Sequence, residues 1–117
     1  YYDAYYSKAC QVRRLLRDQI TEVFKKADVI VSPVTTSPAF KLGEKISNPL
    51  EMYYNDIFTV SANLAGIPSM SIPFGRSQAG LPIGVQIWAN HFQEQTMLNV
   101  AKGLENCSAE HQKVALL

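Results

Sequence analysis

A layered α/β fold is what the 117-residue sequence predicts, and three features predict it. Residues 3–27 repeat apolar side chains at spacings of three and four, the period of a helix with one buried face. Residues 69–74 and 82–89 alternate apolar and polar side chains, the period of strands with two unlike faces, and a polar segment joins them. A third run, Val29-Ile30-Val31, is β-branched throughout and suits a strand covered on both faces. Helical segments fall between and around these strands, so each strand has something to pack against.

In chain order, Tyr5, Ala9, Val12, Leu16, Ile20, Val23 and Ala27 form the apolar stripe of the first helix. Lys8, Gln11, Arg14, Asp18, Glu22 and Lys25 fall mostly on the other side, with Arg14 and Asp18 spaced for an i,i+4 pair. Cys10 lies close to the apolar stripe and reads as a packing residue. A strand over 28–33 follows, ended by Pro33, and then a loop rich in proline, hydroxyls and glycine. Asn48 is placed to cap a helix over 49–56 that has Pro49 at its first position and carries Leu50, Met52, Tyr53 and Tyr54. A second short helix over 59–65 should stop at Gly66. In the next strand Met70 and Ile72 oppose Ser69 and Ser71. In the one after it Ile83, Val85 and Ile87 oppose Gly84, Gln86 and Trp88, and residues 75–81 make the hairpin connection. The last helix runs over 93–105 through Met97, Leu98, Ala101 and Leu104, with Gly103 costing it about 1 kcal/mol relative to alanine.

Residues 1–105 thus read as one structured unit and 106–117 as a weakly patterned tail expected to fray. Three strands make a narrow sheet, and the Val29-Ile30-Val31 run asks for more strand neighbours than these segments supply. The chain also opens on Tyr1, inside a helical pattern with no capping residue ahead of it. Both features lead to the expectation of a piece of a longer protein.

Net charge is +1, which gives no general basic field for nucleic acid. Arg13, Arg14, Arg17, Lys25 and Lys26 cluster, but a solvated helix face accounts for them better than an RNA patch. Cys10 and Cys107 have no CxxC or zinc spacing and read as free thiols of a reducing compartment. No apolar run approaches the ~20 residues of a membrane span, and no signal-peptide pattern is present, so a membrane or secreted location is not expected. Asn106-Cys107-Ser108 matches the glycosylation pattern, but without a secretory signal it reads as a chance match.

The chemistry-bearing residues are few. His91 and His111 lack any paired spacing and read as a loop residue and a tail residue, so no metal site is expected. Gly75-Arg76-Ser77-Gln78-Ala79 approaches a nucleophile elbow but ends in alanine and falls in the hairpin turn, where Ser77 serves turn polarity. There is no S-x-x-K and no phosphate loop. No catalytic residue is therefore assigned. What remains is the stretch NDIFTVSANLAGIPSMSIPFG, residues 55–75, with the single acid Asp56. Asp56 is either a helix-terminal acid, pairing with a base or capping the turn at Phe58, or a ligand-binding anion. Thr59, Ser61 and Asn63 beside it favour the second reading, because small hydrogen-bonding groups around a carboxylate suit a polar cation.

YYDAYYSKACQVR (1–13), ADVIVSP (27–33), SPAFKLGEK (37–45), MYYNDIFTVSANLAGIPSMSIPFG (52–75) and LPIGVQI (81–87) resemble, in order, the C-terminal part of the amidase-signature family. Within it they are most similar to the branch of A subunits of the glutamyl-tRNA(Gln)/aspartyl-tRNA(Asn) amidotransferases. The resemblance implies the C-terminal part of that α/β fold, a mixed sheet covered by helices. It implies a parent enzyme that releases ammonia from glutamine, in a heterotrimeric complex whose partner subunit uses ATP and magnesium on misacylated tRNA. This chain would then hold no cofactor of its own and meet tRNA only through that partner, in a bacterial cytoplasm or an organelle. The family's Ser-Ser-Lys catalytic residues would lie outside these residues, leaving the chain inactive by itself. Asp56 matches an aspartate that meets the α-ammonium of glutamine, and an arginine outside the chain would hold the α-carboxylate. Departures from the family's usual pattern are Thr36 and Ser61 for proline, Phe74 for cysteine, and 89–96, which removes an acid favouring the last helix's N-terminus. A general amidase of small amides and a non-catalytic interaction module are the competing readings. An amide without an α-amino group would not need the Asp56 charge.

Overall fold

The computed structural model describes residues 2–44 and 49–113. A single π-helical turn, Tyr2–Tyr6, leads into helix α1, Ser7–Val23. Strand β1 is Val29–Pro33, helix α2 Pro49–Asn55 and helix α3 Val60–Ala65. Strands β2, Ser69–Arg76, and β3, Pro82–Ala89, precede helix α4, Glu94–Ser108, and a 3₁₀ turn, Glu110–Gln112. The predicted α/β order of elements is therefore present. The proposed Asn48 cap lies outside the described residues.

The sheet has the order β1-β3-β2, and both pairings are antiparallel. Val29 faces Ala89 and Pro33 faces Val85, while Ser69 faces Trp88 and Ile72 faces Val85. The register shifts between Pro73 and Gly75, so Phe74 is an extra residue bulged from β2. Ser77 closes the connection as expected of a turn residue: its N–H donates to Leu81 O at 2.8 Å, and its hydroxyl accepts from Leu81 N at 3.2 Å.

Alternation divides the core in two. Ile72, Ile87 and Ala89 turn to one face of the sheet and pack with Met97 and Ala101 of α4, joined by Val29, Met70, Val85, Val100 and Leu104. Trp88 packs instead with Leu16, Ile20 and Phe24 of the α1 segment and with Ala62, Ala65 and Ile67 around α3. The small Ala62 and Ala65 let α3 approach α1 closely, and Arg13 Nε donates to Leu64 O at 2.7 Å across the same contact. Gly66 ends α3 with φ +72°, a left-handed conformation that glycine adopts without Cβ strain.

Several expectations are corrected. The first helix begins as a π turn and ends at Val23, because Lys25 and Lys26 donate to Glu22 O and Val23 O in tight i→i−3 turns. The stripe is covered around Leu16 and Ile20, whereas Tyr5, Val12 and Val23 are exposed. Cys10 is exposed rather than packed. Leu98 is exposed and Val100 takes its place on the inner face of α4. Helix α4 starts at Glu94, which puts an acid in its first turn after all.

An ion-pair cluster holds the C-terminal 3₁₀ turn to β2. Arg76 Nε lies 3.0 Å from Glu110 Oε2, and Lys113 Nζ pairs with the other carboxylate oxygen. The hydrogen bond from Lys113 and its charge, with a smaller contribution from Arg76, hold the Glu110 carboxyl below its ordinary value of 4.5. A carboxyl depressed on folding stabilises above its unfolded pKa, and that contribution disappears as pH falls through the folded value. Acidification below 4.5 should therefore release this turn. The amides of Gln112 and Lys113, bonded to Ala109 O and Glu110 O, should lose hydrogen-exchange protection there, and Glu110→Gln should show the loss already at neutral pH.

Candidate functional site

Asp56 occupies the turn between α2 and α3, and backbone bonding fixes its place in the chain. Its N–H donates to Tyr53 O at 3.2 Å, closing the last turn of α2. Its carbonyl accepts Thr59 N at 3.0 Å, Val60 N at 3.0 Å and the Thr59 hydroxyl at 3.1 Å, opening α3. Asn63 Nδ2 donates back to Thr59 O at 2.9 Å. One carbonyl thus collects three donors, and the turn is locked from both sides. The Asp56 residue is exposed, and among the described residues no hydrogen bond or ion pair engages its carboxylate.

The turn is anchored to the sheet by one side chain. Gln86, in the middle of β3, is 2% exposed, the one buried polar residue among those described. Its Nε2 donates to Phe58 O at 2.7 Å, Ser32 Oγ at 2.9 Å and Pro33 O at 3.2 Å. Ser32 Oγ donates in turn to Pro33 O at 3.3 Å. The register sets Ser32, Gln86 and Ser71 side by side across the three strands, a polar row on the face opposite α4. A cleft of about 190 Å³ shares Pro33 with this cluster and is lined also by Thr35, Ser37, Pro82 and Gly84.

The structure brings together fewer of the expected ligand-facing groups than the sequence suggests. Thr59 and Asn63 spend their donors on backbone carbonyls of the turn and α3, so they shape the Asp56 turn rather than extend it. Ser61 is half-buried on α3. Among the described residues Asp56 neither caps the turn through its side chain nor pairs with a base. Gln86 is the residue that sequence reasoning missed.

Other positions hold little chemistry. His91 lies in the turn between β3 and α4, with its N–H bonded to Asn90 Oδ1 at 2.9 Å. The side chain of His111 lies outside the described residues. No three His, Cys, Asp or Glu side chains converge on a metal-sized site among the described residues. A groove of about 600 Å³ beside α1, lined by Cys10, Arg13, Arg14, Arg17, Asp18, Thr21 and Ala65, does not include Asp56. No helix among the described residues is long and apolar enough to cross a membrane.

Comparison with known proteins gives the context. The sequence model of the family described as Amidase matches residues 1–98. The A subunit of the glutamyl-tRNA(Gln) amidotransferase of Bdellovibrio bacteriovorus is 68% identical over 108 residues, covering 92% of this chain and 22% of that protein. The crystal structure of the A subunit of the Thermotoga maritima glutamyl-tRNA(Gln) amidotransferase superposes with a TM-score of 0.88 at 42% identity, covering 99% of this chain and 26% of that one. A 6-aminohexanoate cyclic dimer hydrolase superposes with a TM-score of 0.72 at 29% identity over 86% of this chain and 24% of that one. The chain thus spans about a fifth to a quarter of the length of the proteins it matches.

Proposed function

Because the chain belongs to the Amidase family, we propose that it forms part of the ammonia-releasing subunit of a tRNA-dependent amidotransferase, where it supplies one wall of the glutamine pocket. The observation that carries this reading is the gradient of likeness. Identity is 68% to the Bdellovibrio amidotransferase chain against 29% to the cyclic dimer hydrolase, although the model superposes on the hydrolase as well.

In this reading Asp56 binds the α-ammonium of glutamine. Its exposed carboxylate stands on a turn fixed by three donors to its own carbonyl, so little ordering remains to be done when a cation arrives. The nucleophile that attacks the side-chain amide and the cation that holds the α-carboxylate belong to other parts of the longer protein. ATP and magnesium act on a partner subunit, which also carries the tRNA, in a cytoplasmic heterotrimer. This chain then selects the ammonia donor rather than cleaving it.

Substrate discrimination tests the reading. A charge-assisted hydrogen bond contributes about 1.5–3 kcal/mol, so full-length protein in its complex should prefer L-glutamine to 4-carbamoylbutanoate, which has no amino group, by roughly 10- to 100-fold in kcat/KM. Equal rates on the two would point to a general small-amide amidase instead.

A further inference from the structure

Gln86 is buried in the centre of a strand, where a polar side chain is retained only if its hydrogen bonds are made. Its neighbours along β3, Val85 and the fully buried Ile87, turn to the opposite face and pack with the α4 cluster. What the amide does is bridge three segments. Two N–H groups serve an acceptor on the Asp56–Thr59 turn, Phe58 O, and two on β1, Ser32 Oγ and Pro33 O. The shortest of the three contacts, 2.7 Å, is the one to the turn. Phe58 lies two residues beyond Asp56, inside the loop closed by the bonds from Thr59 and Val60 to Asp56 O. The turn cannot shift relative to the sheet without breaking the Gln86 contact.

We infer that Gln86 is a positioning residue for Asp56, setting where the carboxylate stands relative to the sheet and thereby the enzyme's affinity for the amino end of its substrate. The inference rests on the functional reading above and adds to it a residue that touches no substrate. Ser32 is part of the same device, since its hydroxyl accepts from Gln86 and donates to Pro33 O. The amide of Gln86 is therefore held from the β1 side while it holds the turn.

Gln86→Met keeps the length of the side chain and removes the donors. In the full-length enzyme it should speed hydrogen exchange at Thr59 and Val60, whose amides bond to Asp56 O, by about tenfold, with the amides of α4 unchanged. It should also raise KM for glutamine roughly three- to tenfold while leaving kcat, and both constants for 4-carbamoylbutanoate, within about twofold. In an Asp56→Ala background the same change should add nothing to KM, because the carboxylate it positions is gone. Unchanged exchange at Thr59 and Val60 overturns the positioning role whatever the kinetics. Equal losses on both substrates, or an effect that adds to Asp56→Ala, assign Gln86 to general stability and also overturn it. If Asp56→Ala itself leaves glutamine KM unchanged, the pocket reading fails instead, and faster exchange then limits Gln86 to holding the turn. Ser32→Ala, which removes one of three acceptors, should give the same pattern with a smaller amplitude, and gives a second variant should Gln86→Met fold poorly.

Discussion

Asp56→Asn in the full-length enzyme should raise KM for glutamine by roughly 10- to 100-fold while kcat stays within about twofold. Asparagine keeps the shape of aspartate and can still accept a hydrogen bond, but it has no charge to offer an ammonium. On the proposed role of Asp56, the bond lost would be a charge-assisted one made equally in the ground state and the transition state, since the α-ammonium of glutamine is remote from its side-chain amide. Removing such uniform binding shows in KM and not in kcat. The substitution is a clean probe because no hydrogen bond or ion pair among the described residues engages this side chain. The Asp56 hydrogen bonds found among the described residues belong to its backbone N–H and carbonyl, which Asn retains. The residue is exposed, so the stability change should stay within about 0.5 kcal/mol. Steady-state kinetics with glutamine and with 4-carbamoylbutanoate, alongside a thermal melt, read all three quantities. A glutamine KM unchanged by Asn would remove Asp56 from the binding site.

Where local pattern decides structure, the sequence was legible. Strand β3 occupies the residues where alternation runs, 82–89, and Gly66 stops α3 with the positive φ that its place after the pattern implies. The hairpin is closed by the serine that turn chemistry assigns to it. Of the candidate site, sequence reasoning singled out Asp56, which the structure places on the exposed turn between α2 and α3 and whose ligand role is the reading proposed above. Thr59 and Asn63 look like ligand-facing groups by residue type, yet each lies within four residues of a backbone carbonyl at the start of α3, and the short helix uses them first. Gln86 was hidden for the opposite reason. On the polar side of an alternating strand, glutamine reads as solvent-facing. Its burial arises from a carbonyl 28 residues earlier in the chain and a serine 54 residues earlier, which no period or spacing connects to it.

The 117 residues expressed by themselves should melt broadly and self-associate. Their accessible surface is 8917 Å², against about 6,400 Å² for a compact monomer of 13.1 kDa, and the radius of gyration is 16.9 Å against about 13 Å. Many large apolar side chains are among the exposed residues. On α1, Val12 and Leu15 are exposed, as is Tyr5 in the turn before it, and Tyr5 and Val12 border an open groove of about 440 Å³ together with Ala9 and Leu64. On α2, Leu50, Met52, Tyr53 and Tyr54 are all exposed. Among the described residues the order β1-β3-β2 leaves both outer strands with an unpaired edge, and Val31 on β1 is exposed beside one of them. The two buried clusters, each built on four or five buried residues, are small for a chain of this length. Stability is a narrow difference between burial and conformational entropy, so removing this much burial from one side leaves little cooperative gain. A cooperative domain of this size unfolds with an enthalpy of roughly 80 kcal/mol, and the isolated chain should show less than about half of that by calorimetry, with light scattering rising with concentration. Within the longer protein proposed above, the same residues should unfold in the main transition, because neighbouring segments would cover the stripes on α1 and α2 and the strand edges. A sharp, reversible transition of a monomer at full enthalpy would show that the two small clusters suffice, and that the exposed stripes are surface rather than interface.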